Sequence, residues 1–205
     1  QYFFVIEFDT PYATSRKLLR GKKENADKYL LDFQLDFKNQ LQIKIALSTV
    51  SIEGAKLNLS TEIPHWDFGM VKDEAQMVWS SYLNRIEIDA STNQKEVFYT
   101  SLYHLLLQPS NIADVDGRYR GADDQVRLAK DSQYYSTLSI WDIYRAAFPL
   151  LQIIAPEKIN PIVNSMLAHH KAAGFLPIWT VWGQDNFCMI GNHAIPMLLA
   201  AYNNG

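Results

Sequence analysis

The residues best equipped for chemistry fall in three clusters. The first, IADVDGRYRGADD from Ile112 to Asp124, gathers Asp114, Asp116, Arg118, Arg120, Asp123 and Asp124 around Tyr119 in one loop. An EF-hand calcium loop would need Gly at its sixth position and Glu at its twelfth, where Tyr119 and Gln125 stand, so that motif is excluded. Two readings stay open: a solvated charged loop, or a rim whose donors and acceptors match sugar hydroxyls. The second cluster, LSIWDIYRAAF from Leu138 to Phe148, sets Trp141 and Asp142 near a helix start, with Arg145 one turn beyond Trp141. A core Trp beside a helix-terminal Asp accounts for it. So does a pyranose, whose C–H face packs on an indole while a carboxylate accepts its hydroxyl protons.

The third cluster, FLPIWTVWGQDNFCMIGNH from Phe175 to His193, is a long loop holding Trp179, Trp182, Asp185, Cys188 and His193. Loops of this length in compact domains are often functional. Asp185, flanked by Gln184 and Asn186 and hemmed by aromatics, is the natural general acid; an Asn/Asp-rich turn is the alternative. Cys188 lacks an evident base to activate it and reads as a small buried thiol. Zinc is poorly served: His169 and His170 are adjacent on a helix and cannot both face one ion, and His65, His104 and His193 lack ligand spacing. The histidines read as structural. No Gly-rich phosphate loop or GxSxG elbow is present.

The elements that must position these clusters change type along the chain. Alternation predicts strands over Tyr2–Phe8, Tyr29–Phe37 and Leu41–Ile52; in the second, Leu31, Phe33, Leu35 and Phe37 share one face of a half-buried strand. Arg16 to Lys28, charged and centred on Gly21, reads as an exposed hairpin connection. From Asp67 the period becomes helical: a linker helix over Asp67–Leu83 with Asp67 as N-cap, an extended piece at Ile86–Ile88, and a helix over Gln94–Gln108 stopped by Pro109. Further helices are predicted over Thr137–Ile154, Pro156–Ala173 and Ala194–Tyr202. Strands first and helices after, without βαβ alternation, predict an α+β chain of two domains.

Composition narrows the partners. A net charge of −3 from 19 basic and 22 acidic residues forms no basic face and argues against nucleic acid. The longest apolar runs, such as Ala146 to Ile154, are far short of a membrane span of about 20 residues. One cysteine excludes an internal disulfide and leaves the compartment open. The chain opens at Gln1 with neither Met nor a leader, which predicts a processed or excised segment.

SIEGAKLNLSTEIPHW (Ser51–Trp66), FYTSLYHLLLQP ending at Pro109, DVDGRYRG (Asp114–Gly121), SIWDIYRA (Ser139–Ala146) and CMIGNH (Cys188–His193) together resemble glycoside hydrolase family 92, in the same order. The resemblance implies the C-terminal part of an N-terminal β-sandwich at 1–63, a linker helix at 64–88, and the first helices of an (α/α)6 toroid at 89–205. It implies an exo-acting, inverting, calcium-dependent α-mannosidase, periplasmic or secreted in bacteria, that releases mannose from N-glycans or mannans. In such a mechanism an acid protonates the leaving oxygen while a base, roughly 6.5 to 9.5 Å away, activates water on the opposite face. Trp141 and Asp142 match the family's WD pair at the mannose subsite. Arg118, Asp116, Trp179, Cys188 and His193 are the further substrate contacts it implies.

Asp185 falls where the family's GNETNCM segment carries its catalytic Glu; here the segment reads GQDNFCM. The acid is shorter by one methylene, and a misplacement near 1 Å costs about a hundredfold in rate. Thr180 stands where a Glu often follows the loop's Trp, and Asn192 replaces the aromatic before His193. The family's base and most calcium ligands lie in a later segment, so no metal ligand is assigned to this chain. Alone it is expected to be inactive and to rest against the missing part or a second copy. The alternatives are a non-catalytic mannose-binding or degenerate homologue, or a hydrolase of mannosyl phosphates.

Overall fold

The computed structural model describes residues 2–18, 27–37 and 39–204. Four strands come first: β1 (Phe3–Phe8), β2 (Tyr12–Leu18), β3 (Lys28–Phe33) and β4 (Ile43–Ser48). β2 and β3 form a hairpin, while β1 pairs antiparallel with β4 from Phe3↔Ser48 to Phe8↔Ile43. The anticipated hairpin connection is thus partly strand at Arg16–Leu18 and Lys28; Gly21 lies outside the described residues. The strand expected over Tyr29–Phe37 ends at Phe33, and Phe37 is 93% exposed.

The strand expected over Leu41–Ile52 ends at Ser48, because helix α1 (Ile52–Glu62) begins four residues later. Ser51 caps α1, its hydroxyl accepting the Gly54 N–H at 3.0 Å. This helix was unforeseen for a physical reason: it buries Gly54, Ala55, Asn58 and Leu59, a face too small and polar to show an apolar period. Its partner face on β4 is equally unusual. Lys44, Ala46 and Ser48 point inward and are buried, and the Lys44 ammonium donates to the Ile63 carbonyl at 2.9 Å over the Trp66 ring. Phe4, Ile6, Ile43, Ile45 and Leu47 face outward, aligned Phe4↔Leu47 and Ile6↔Ile45, and are exposed.

Helix α2 (Phe68–Leu83) starts as foreseen, Asp67 accepting the Met70 N–H at 3.0 Å. Ile86–Ile88 forms no strand; the Tyr99 hydroxyl donates to the Ile86 carbonyl at 3.0 Å. A capping box of Ser91 and Gln94 opens α3 (Thr92–Leu106), and Pro109 follows its end. The loop beyond carries β5 (Ser110–Asn111), β6 (Arg118–Arg120), β7 (Val126–Leu128) and β8 (Tyr135–Ser136), paired β5–β8 and β6–β7. Strands of two or three residues leave no period to read.

The single helix expected over Thr137–Ile154 is divided into β9 (Leu138–Ser139), α4 (Ile140–Ile143) and α5 (Ala147–Ile154). Pro149 cannot donate in a helix interior, and in the divided chain it sits in the first turn of α5, where no donor is needed. Thr137 adopts φ 59°, which also prevents a continuous helix. A 3-10 turn at Pro156–Lys158 leads into α6 (Ile159–Ala173), closed by Gly174 at φ 86°. Then come β10 (Trp179–Val181), β11 (Gln184–Asp185) and α7 (Ala194–Asn203). Leu102, Ile140, Phe148, Ile162, Met166 and Met197 bring α3 to α7 around one core. Each large side chain so buried contributes about 1.5–3 kcal/mol. The molecule is α+β: strands, then helices with small antiparallel sheets in their connections.

Candidate functional site

Two of the three clusters meet on one small sheet, ordered β11–β10–β9. Trp179 lies opposite Ser139, and Thr180 lies between Leu138 and Asp185. Leu138 N–H donates to the Thr180 hydroxyl at 3.3 Å. The Ser139 hydroxyl donates to a carboxylate oxygen of Asp142, which fixes that side chain at the head of α4 and leaves its remaining acceptor sites open to solvent. Trp141 is 41% exposed, so it is a surface indole rather than a core one. α4 ends at Tyr144, whose ring stacks on His193 at 4.4 Å and 7°, and Arg145 Nε donates to the Tyr144 hydroxyl at 2.5 Å. Trp141, Asp142, Trp179, Asp185 and His193 thus share one neighbourhood, with Ser139 and Tyr144, unremarked in the sequence, as its fasteners.

Asp185 is buried, and its carboxylate is spoken for. Oδ2 accepts the Ile178 N–H at 2.8 Å and the Trp179 N–H at 3.2 Å, while Oδ1 accepts the Phe187 N–H at 2.9 Å. Both oxygens act as acceptors from the loop's own backbone, which is the work of a clasp. The turn it closes is tight. Trp182 adopts φ 61° and is 53% exposed, with Tyr2 meeting its ring edge-on at 3.9 Å. Gly183, at φ 87°, donates to the Ser136 hydroxyl at 2.8 Å, and a Cβ there would come within 2.6 Å of the Arg120 carbonyl. Cys188, expected as a buried thiol, is exposed, because Phe187 at φ 54° turns the following segment outward; the Cys188 N–H donates to Asn186 Oδ1 at 3.1 Å.

The first cluster, the loop at 112–124, behaves differently. Asp114, 2% exposed, accepts from the Ser48 hydroxyl at 2.7 Å and the Asn58 amide at 2.9 Å, so it anchors the loop onto β4 and α1 instead of forming a rim. Asp116 pairs with Arg118 at 2.7 Å; some desolvation opposes it, but the Arg118 hydrogen bonds hold its carboxyl below the usual range. Arg120 donates to the Thr49 carbonyl at 2.8 Å and the Val50 carbonyl at 3.3 Å. Among the described residues, neither Asp116 nor Arg118 bonds to Trp141, Asp142, Trp179 or Asp185.

The Trp–Asp neighbourhood lies on an open face. Among the described residues, a shallow cavity of about 590 Å³ borders the Asp185 loop, lined by His170, Phe175, Ile178, Phe187 and Asn192, while cavities of about 490 and 270 Å³ lie against Tyr119 and Tyr134 and against Trp79 and Tyr135. No three His, Cys, Asp or Glu side chains among the described residues converge on a point that would hold a metal, so these residues alone do not form a calcium cradle. No helix there is long and apolar enough to cross a membrane.

Residues 54–205 match the family described as the glycosyl hydrolase family 92 catalytic domain. Among solved structures, a family GH92 α-mannosidase from Bacteroides thetaiotaomicron superposes with a TM-score of 0.85 at 29% identity, over 96% of this chain and 29% of its own. The same enzyme has been solved in complex with mannoimidazole. A family GH92 inverting mannosidase from Bacteroides thetaiotaomicron VPI-5482 gives a TM-score of 0.87 at 27% identity, over 98% of this chain and 29% of its own. The present chain therefore spans less than a third of the solved chains it matches. No curated protein matches its sequence.

Proposed function

Because the chain belongs to glycosyl hydrolase family 92, we propose that it forms part of an exo-acting α-mannosidase, and that it supplies the face which recognises the terminal mannose. The observation that carries this reading is the β9–β10–β11 sheet, which sets an exposed Trp141 and a solvent-facing Asp142 beside Trp179. An indole packs the C–H face of a pyranose, and a carboxylate fixed by Ser139 accepts from its hydroxyls without losing side-chain entropy on binding. The mannoimidazole complex of the similar B. thetaiotaomicron enzyme supports a mannose-like ligand.

In this reading the reaction inverts: a proton reaches the leaving oxygen while a base on the other face deprotonates water. The base comes from the remainder of the protein, and this chain alone does not turn over. Calcium, if the family's dependence holds for this protein, would be held by ligands from that remainder and would supply charge that orients sugar hydroxyls. The outward apolar residues Phe4, Ile6, Ile45 and Leu47 fit one face of a β-sandwich over 1–63, and the exposed Phe68, Met77 and Val78 fit a linker helix over 64–88. The helices after 89 are then the first of an (α/α)6 toroid, in a periplasmic or secreted enzyme.

The clasped Asp185 favours a second reading within the same family. As a general acid it would have to carry a proton and release a backbone hydrogen bond, so a substrate whose leaving group needs no proton, a mannosyl phosphate, suits this site. Turnover of an alkyl α-mannoside and of a mannosyl phosphate by the full-length protein separates the two. Comparable rates support the mannosidase, phosphate-only turnover supports the second reading, and binding without turnover of either refutes both in favour of a non-catalytic lectin-like domain.

A further inference from the structure

His169 lies on α6, one turn beyond Ser165 and on the same buried side. The Ser165 hydroxyl accepts the Tyr135 N–H at 2.8 Å, and the next residue, Ser136, accepts the Gly183 N–H at 2.8 Å. α6 is thereby tied through β8 to the turn between β10 and β11, and His169 comes up behind that turn, within electrostatic reach of Asp185 and the Gly183 backbone. Its imidazole is 1% exposed, Phe175 meets it edge-on at 5.6 Å, and neither nitrogen has a partner of good hydrogen-bond geometry, although the Gly183 backbone lies close enough to act on the ring as an acceptor. Buried polar groups left this way are uncommon.

We propose that His169 is a positioning residue: as a neutral ring it backs the Gly183–Asp185 turn and keeps Trp179 and Asp185 set for the sugar, and as a cation it unsettles that turn. Burial pushes its pKa down, against the pull of Asp185 and the Gly183 backbone and with a push from His170, so the ring is neutral near neutral pH. The groups that act on it are Asp185 on β11 and His170, its neighbour on α6. The sign follows from linkage. The unfolded chain takes up this proton near the ordinary value of 6.5 and the folded chain only below it, so stability falls as pH drops through that range. The proton taken up also competes for the Asp185 oxygens that hold the Ile178, Trp179 and Phe187 N–H groups.

The kinetic arm of this proposal rests on the α-mannoside reading; its spectroscopic arm does not. In the full-length protein, His169→Gln keeps a neutral donor and acceptor but cannot titrate, and His169→Leu has neither property. Tryptophan fluorescence is followed from pH 8 to about 4.5, with kcat and KM on an aryl α-mannoside at neutral pH. The wild type is expected to show a reversible fluorescence transition below about pH 6.5 that His169→Gln lacks. At neutral pH, Gln should hold kcat within roughly threefold, and Leu should lower it roughly 10- to 100-fold at little-changed KM. A transition that persists in His169→Gln, or a wild-type kcat in His169→Leu, overturns the proposal. A wild type that lacks mannosidase activity but shows the His169-dependent transition overturns the functional reading and leaves the positioning role standing.

Discussion

The loop at 112–124 and the two segments that meet on the β9–β10–β11 sheet, 138–148 and 175–193, all carry Asp and aromatics, yet their charges are spent differently. In the loop, Asp114 is buried against Ser48 and Asn58, Asp116 pairs with Arg118, and Arg120 reaches carbonyls of Thr49 and Val50. On the sheet, Asp185 likewise turns inward as a clasp, but Asp142 and Trp141 face solvent, with one hydroxyl contact to aim the carboxylate. A density of charged residues does not mark a site. Acceptor capacity held in place and left unused does.

Substitutions in each region can break that contrast. Asp114→Ala should have the largest effect on folding, about 3 kcal/mol, since it leaves the buried Ser48 and Asn58 donors without their acceptor; thermal or denaturant unfolding checks it. Gly183→Ala should cost about 2 kcal/mol from its positive φ and the close Arg120 carbonyl, and should raise KM as the Trp182 turn shifts. Asp142→Ala should leave stability within about 0.5 kcal/mol while lowering kcat/KM of the full-length protein roughly 30-fold or more, the worth of charge-assisted hydrogen bonds to a sugar. Arg118→Ala, which removes an exposed ion pair, should change stability by under about 1 kcal/mol and leave kcat/KM near wild type. If Arg118 proved as costly to activity as Asp142, the loop would belong to the site after all.

Much of this was legible before any coordinates. The Asp67 cap, the Pro109 stop and the helix from Ala194 rest on local chemistry that tertiary packing had no reason to override. The Trp141–Asp142 and Trp179–Asp185 segments were recognised, but their meeting was not, because two-residue strands such as Leu138–Ser139 have no period. Helix α1 was hidden by its small and polar buried face, and the long helix over Thr137–Ile154 was overdrawn by reading past Pro149. The role of Asp185 was the hardest to read: the three N–H groups that claim it come from a backbone path that side-chain identity does not reveal.

The central proposal is that Asp142, and not the charged loop, contacts the sugar. Calorimetric titration of the full-length protein and its Asp142→Ala and Arg118→Ala variants with mannoimidazole tests it most directly. The account predicts binding weakened at least roughly tenfold by Asp142→Ala and unchanged by Arg118→Ala. Equal affinities for wild type and Asp142→Ala, or a loss confined to Arg118→Ala, would contradict it.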